Sequence, residues 1–351
     1  MYQLFNKIIS FQFKLLYLIH IKHKNPKKMR TNKFIYTLAL IVLSGSLVFT
    51  SCKKRKAFKN EDGQASSDNR SAQGEVDAGI SDANTVISDD ALLNGKTNGA
   101  QTVMGVLGTP CGLTIDTNGR YQGKITLNYN GTTCWNRTRT GQIKLTILNY
   151  TSGVRWKTAG AQLQIDYNGY KVTRASDGKS IELNGTAIIT NVNGGTWYNL
   201  IFTGQPSLIH ESSSSNLRVT FDGSATAVYN INRRFTYTFT NNPFKITCVG
   251  EGIGSSNSLS SLENYGTTRD GDAFTSQVKT PIIWNTTCGS HAPIQGEVEI
   301  KVDSKYFALN CLFGVDQSGN AVTVGANQCP YGFKVEWTYK KKTNKKIFGY
   351  W

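Results

Sequence analysis

No Gly-x-Ser-x-Gly segment occurs in this chain, so nothing in it encodes the strained serine elbow of an α/β-hydrolase. Histidine is scarce: there are four in 351 residues, and only His210 and His291 follow position 52. Each stands alone and reads as a surface residue rather than a catalytic base. With so few imidazoles and widely spaced cysteines, a structural zinc site is not expected. No acidic residue precedes position 52. The main apolar run falls short of the roughly 20 residues that a membrane-spanning helix needs. Beyond residue 104 no long amphipathic helical pattern appears.

What is present begins at Met29. Arg30 and Lys33 give a basic start, FIYTLALIVLSGSLVF follows as an apolar core, and Phe49-Thr50-Ser51-Cys52 closes it. That order has the form of a secretory signal. The small residue before the cysteine suits cleavage by a signal peptidase, and Cys52 is then the thiol that takes the lipid. Residues 29–51 read as a lipoprotein signal peptide. Residues 1–28 read as an extension ahead of the true start. Phe49 departs from the more usual leucine, and an uncleaved anchor is the competing reading.

Eight basic residues precede Cys52, which leaves 31 basic against 23 acidic from there on. Much of the excess lies in Lys53, Lys54, Arg55 and Lys56, and in Lys340, Lys341, Lys342, Lys345 and Lys346. Basic residues beside a lipid anchor favour anionic headgroups. The expected partner is the membrane, reached through the lipid. Nucleic acid is not expected, since no recognition helix or stacking motif accompanies the charge.

Apart from Cys52 there are six cysteines: Cys111, Cys134, Cys248, Cys288, Cys311 and Cys329. An even number in an exported chain points to disulfides, and six allow 15 pairings. Proximity favours Cys111 with Cys134 and Cys311 with Cys329, leaving Cys248 with Cys288.

Residues 52–104 are rich in Ser, Asp, Asn, Gly and Lys and read as a flexible tether. VDAGISDANTVISDDALL has a weak helical character within it. From Cys111 the pattern changes to period two. Ile125, Leu127 and Tyr129, then Ile143, Leu145 and Ile147, then Leu163, Ile165 and Tyr167 alternate with polar residues, as do Phe333, Val335 and Trp337 later on. Asn-Gly and Asp-Gly pairs punctuate these runs and favour hairpins. The expected fold is all-β and antiparallel, sandwich-like, in one or two domains. Residues 105–250 form a first domain or half, 262–340 a second, and 341–351 a basic tail, with a seam at 250–262.

A glycosidase needs two carboxylates across a cleft. Asp166, Glu182, Asp222, Glu297, Glu299 and Glu336 are the candidates, and ordinary solvated strand faces explain them with no function invoked. Asp270 and Asp272 around Gly271, and Asp116 before Asn118, suggest Asx turns more than calcium ligands. No metal, no cofactor and no catalytic residue is assigned. The best binding hint is aromatic: Trp135, Trp156, Trp197, Tyr198 and Trp284 sit at turns or strand ends, where flat rings stack on sugars or meet a protein.

The unit from Cys111 to Cys134, the strand from Arg139 to Ile147, Asn149-Tyr150 ahead of Gly153, and the run from Tyr265 through Arg269 and Gly271 to Cys288, Gly296 and Cys311 resemble a family of uncharacterised Bacteroidota lipoproteins with a cysteine-containing β-rich domain. The resemblance covers about residues 105–340. It implies a β-rich domain behind a lipid anchor, and it carries no activity. Lipoproteins sent to the cell surface in that phylum resemble one another in acidic residues after the lipidated cysteine. The Lys-Lys-Arg-Lys run here therefore implies the periplasmic face of the outer membrane, with surface exposure as the alternative. The reading is a cell-envelope lipoprotein with a structural or binding role toward protein or glycan. The alternative is a carbohydrate-active hydrolase with a carboxylate pair.

Overall fold

The computed structural model describes residues 62–88, 103–241, 244–254, 261–289, 291–303, 308–323, 328–339 and 341–350. All of them belong to one compact unit, Arg55–Trp351. Cys52, the signal segment, the N-terminal extension and residues 53–61 and 89–102 of the expected tether lie outside the described residues.

The expected alternation becomes fifteen strands. The first five are β1 (Leu113–Asp116), β2 (Lys124–Cys134), β3 (Arg137–Ile147), β4 (Ala161–Arg174) and β5 (Ser180–Asn191). Then come β6 (Leu208–Ser214), β7 (Leu217–Phe221), β8 (Ala225–Asn241), β9 (Phe244–Gly252) and β10 (Leu262–Thr267). The last five are β11 (Ala273–Asn285), β12 (Gln295–Val302), β13 (Ala308–Val315), β14 (Gly332–Tyr339) and β15 (Lys342–Gly349). Their pairings are antiparallel. The strands run in order across one sheet, except that β6 and β7 share the lane between β5 and β8, and β9 and β10 share that between β8 and β11. The expected seam near residue 250 is therefore bridged. β10 bonds to β8 on one side and β11 on the other, so the two stretches are halves of one sheet.

The largest departure from expectation is α1 (Asp62–Ile87), a helix of 26 residues where a flexible tether was expected. Three glycines and many Ser, Asp and Asn residues give it poor intrinsic propensity. Such a segment is helical because of what surrounds it. Every residue from Asp68 to Ile80 is buried. Ala72, Val76, Ile80, Ala83 and Ile87 make a stripe at helical spacing in the core. Polar and charged positions meet the sheet as well: Tyr129 of β2, Arg137 of β3, Arg233 of β8, Glu263 of β10 and Cys311 of β13 all contact α1. The sheet curls around this helix, and its two halves face each other across it. The short helices α2 (Val103–Leu107) and α3 (Trp197–Phe202) lie outside the strands.

Curling of this degree needs local breaks in the ladder. The β3–β4 and β4–β5 registers shift at Gly141 and Gly169. Gly141 has φ +89°, and a Cβ there would lie 2.0 Å from the Gly169 carbonyl oxygen. Gly141→Ala is expected to lower unfolding free energy by about 2–3 kcal/mol, read by urea denaturation, from left-handed strain and steric displacement together.

Two disulfides form, Cys111–Cys134 and Cys288–Cys329. The first matches expectation. The other two expected pairs do not form: Cys248 and Cys311 are free thiols. The reason is strand phase. Cys311 points inward from β13 and hydrogen-bonds with Ser66 Oγ of α1, out of reach of the outer loop that holds Cys329. The basic tail expected at 341–351 is likewise a paired strand, β15.

Candidate functional site

At the tip of the β2–β3 hairpin, Cys134 pairs with Arg137, which leaves Trp135 and Asn136 as a two-residue turn. Both have positive φ, +53° and +64°. This geometry is ordinarily filled by Asn-Gly, and a tryptophan in it is strained. The turn is held from two sides: the Cys111–Cys134 bond on one, and the Ala175 N–H donating to the Asn136 carbonyl on the other. Trp135 is consequently presented to solvent at 85% exposure.

Beside it opens a cleft of about 740 Å³. One wall is the C-terminal part of α1, with half-buried Ser81 and Asp82 and buried Thr85. A second is the segment Val106–Cys111. Thr286, Thr287, Gly289 and His291 close the far side, next to the second disulfide. Arg137 and Arg139 of β3 form the floor. Arg137 Nη1 donates to Glu75 at 2.6 Å, and Arg139 Nη1 donates to Asp82, also at 2.6 Å. Arg139 also bonds the Cys111 carbonyl and lies over the Tyr129 ring, whose hydroxyl donates to Asp82. The floor is thus a set of paired charges, with guanidinium edges and hydroxyls as donors.

Burial pushes the Glu75 carboxyl above its ordinary range against the pull of Arg137. Burial and the Asp82 charge push the Tyr129 phenol well above its own. The half-buried His291 imidazole is held down to about 3 by removal from water and by the two arginines. A base that weak is poorly matched to proton abstraction near neutral pH. Burial also pushes up both free thiols, Cys311 to about 11, so neither is a ready nucleophile.

Of the five aromatic candidates, Trp135 alone is well exposed. Trp156, Trp197 and Trp284 are 2–4% exposed and pack in the core, where Trp284 meets Phe235 and Trp197 meets Tyr237. They belong to the core instead of forming a platform, although Trp197 also lines the cleft. Tyr198 is half-buried against Phe202. His210, expected at the surface, is fully buried. The reason is that the serine-rich run around it is strand β6, not a loop, and alternation turns the ring inward.

The candidate carboxylates do not gather at the cleft. Asp166 accepts from Gln164 and Thr186, and Glu182 from Asn184. Asp222 accepts from the Ser180 N–H, Glu299 meets Lys301, and Glu336 meets Lys334. Glu297 sits on β12 across from Leu312. Asp116 accepts from the Asn118 N–H in an Asx turn. Among the described residues no group of three or more His, Cys, Asp or Glu is placed to hold a metal ion.

The carboxylates missed by sequence reasoning come from α1, and Asp82 is the one that lines the cleft. A signal was present. Asp68, Glu75 and Asp82 recur every seven residues, which puts them along one helical face, and each meets an arginine. Comparison with known proteins finds no family model, no curated protein and no solved structure that matches this chain.

Proposed function

We propose that this is a lipid-anchored protein of the cell envelope that binds a glycan in the Trp135 cleft without transforming it. Residues 29–52 support the anchor by their signal-like order, and the resemblance to Bacteroidota lipoproteins supports the same reading. No described helix is long and apolar enough to cross a membrane. The observation that carries the binding role is Trp135: an exposed indole kept in a strained, cross-linked turn at the mouth of a cleft. Strain of this sort is retained where the side chain is used. The cleft volume falls within the range of small-ligand sites. Its paired arginines and threonine hydroxyls complement sugar hydroxyls, and the indole offers a stacking face.

The test is a fluorescence titration with a panel of bacterial and host polysaccharide fragments. Trp135→Ala should weaken binding about tenfold or more, in line with the loss of an anchoring aromatic. Trp135→Gly should bind as weakly while unfolding at an equal or higher temperature, because glycine relieves the positive φ. Unchanged affinity in both variants would remove the cleft from the proposal. Release of new reducing ends from the same fragments would favour the hydrolase reading.

A further inference from the structure

The sheet ends in β15, which bonds to β14 on one side and has no strand partner on its other edge among the described residues. Lys341, Lys342, Lys345 and Lys346 are all exposed on this edge. Neighbours in a strand point to opposite faces, so the edge itself is basic, not one side of the sheet. None of the four has a carboxylate partner among the described residues. Glu336, opposite Lys345 in the ladder, is instead bound by Lys334 at 3.0 Å.

The start of α1 lies against this strand. A Cβ on Gly63 would stand 3.5 Å from the Phe348 ring and 3.7 Å from the Lys346 side chain. Ten residues lead from Cys52 to Asp62, and Lys53, Lys54, Arg55 and Lys56 are among them. Fully extended, that length reaches about 35 Å. A lipid on Cys52 therefore holds the β15 edge within a few nanometres of the bilayer.

We propose that the β14–β15 edge is a docking surface for anionic phospholipid headgroups, which orients the domain on its own anchoring membrane. The proposal rests on acylation of Cys52. Lysines near an anionic leaflet are drawn to it, and a charge patch acting with a lipid chain is a common two-part membrane signal.

The acylated protein, recovered from membranes, is reconstituted in vesicles of phosphatidylcholine, alone or with phosphatidylglycerol. Its lysines are then footprinted with an amine-acylating reagent and read by mass spectrometry. Lys341, Lys342, Lys345 and Lys346 should react at least about threefold more slowly in the anionic vesicles, while exposed Lys124, Lys157 and Lys179 are unchanged, and salt should abolish the difference. Equal protection in both vesicle types would assign the edge to a second copy of the chain and overturn membrane docking. No protection in either would overturn it too. The same digest reports the Cys52 peptide: acylation without lysine protection refutes the docking surface alone, whereas an unmodified Cys52 refutes the anchor and the docking surface together.

Discussion

Arg233→Met is expected to lower unfolding free energy by about 3–5 kcal/mol. Arg233 is 1% exposed, at the centre of the contacts between α1 and the sheet. Its Nη1 donates to Asp77 at 2.7 Å, and its Nε lies 3.5 Å from Glu263. The guanidinium also lies over Phe235 and Trp284. Methionine fills much of the volume but strands the Asp77 carboxylate away from water, while Glu263 keeps Arg70 and the Ser276 hydroxyl. An orphaned buried charge, not the lost attraction itself, dominates such a cost. Adding Asp77→Leu to Arg233→Met should recover about 2 kcal/mol or more, since replacing both partners by apolar groups removes the stranded charge. Arg234→Met is the control. Arg234 pairs with Glu211 at the surface, and its loss should cost less than about 1 kcal/mol. Urea unfolding followed by near-ultraviolet dichroism checks all three. A single-variant cost as small as the control's would mean that α1 is not seated on Arg233.

Acid should destabilise the fold through His210, and His210→Phe should flatten that dependence. The imidazole is fully buried between Trp156 and Tyr237, and neither ring nitrogen has a hydrogen-bond partner among the described residues. Burial holds it down to about 3, against about 6.5 for a free histidine. Between those values the unfolded chain binds the proton and the folded chain does not. Stability from this group is therefore complete above about pH 6.5 and is lost as pH falls toward 3, by up to about 5 kcal/mol. The carboxyls of Asp68, Glu75 and Asp77 work the other way: burial raises them, so the folded state takes up their protons first and gains stability as pH falls. The difference between wild type and His210→Phe isolates the histidine. It should grow in favour of the variant from pH 6.5 to 4. A difference that stays constant with pH would show that the imidazole takes up its proton in the folded state as readily as in water.

The strands were legible because period two is a local signal. Ile143, Leu145 and Ile147 alternate in sequence and are all buried. So was the Cys111–Cys134 bond, whose halves are separated by one hairpin, β1–β2. The sharing of one lane by β6 and β7 was not, since it depends on how far β5 and β8 extend past each other. The helix was concealed for a different reason. Local composition argued for solvent, and its stabilising partners lie far along the chain: Arg137 pairs with Glu75 across 62 residues, and Arg233 with Asp77 across 156. Trp135 was among the aromatic candidates, but only the φ values and the disulfide distinguish it from Trp156 and Trp284, which serve the core.

The central helix is synthesised before every strand that will enclose it. Ser66 waits for Cys311, 245 residues later. Until then the segment is only partly enclosed, with Tyr129, Arg137 and Arg139 as its nearest partners along the chain. Assembly cannot proceed from the N-terminus outward. The early strands have their hairpin partners beside them in sequence, whereas Glu263 and Cys311, which complete the enclosure of the helix, lie in the last third of the chain. Such remote contacts make folding slow. A polar sequence that would spoil an ordinary core is here what allows the earliest segment to arrive last.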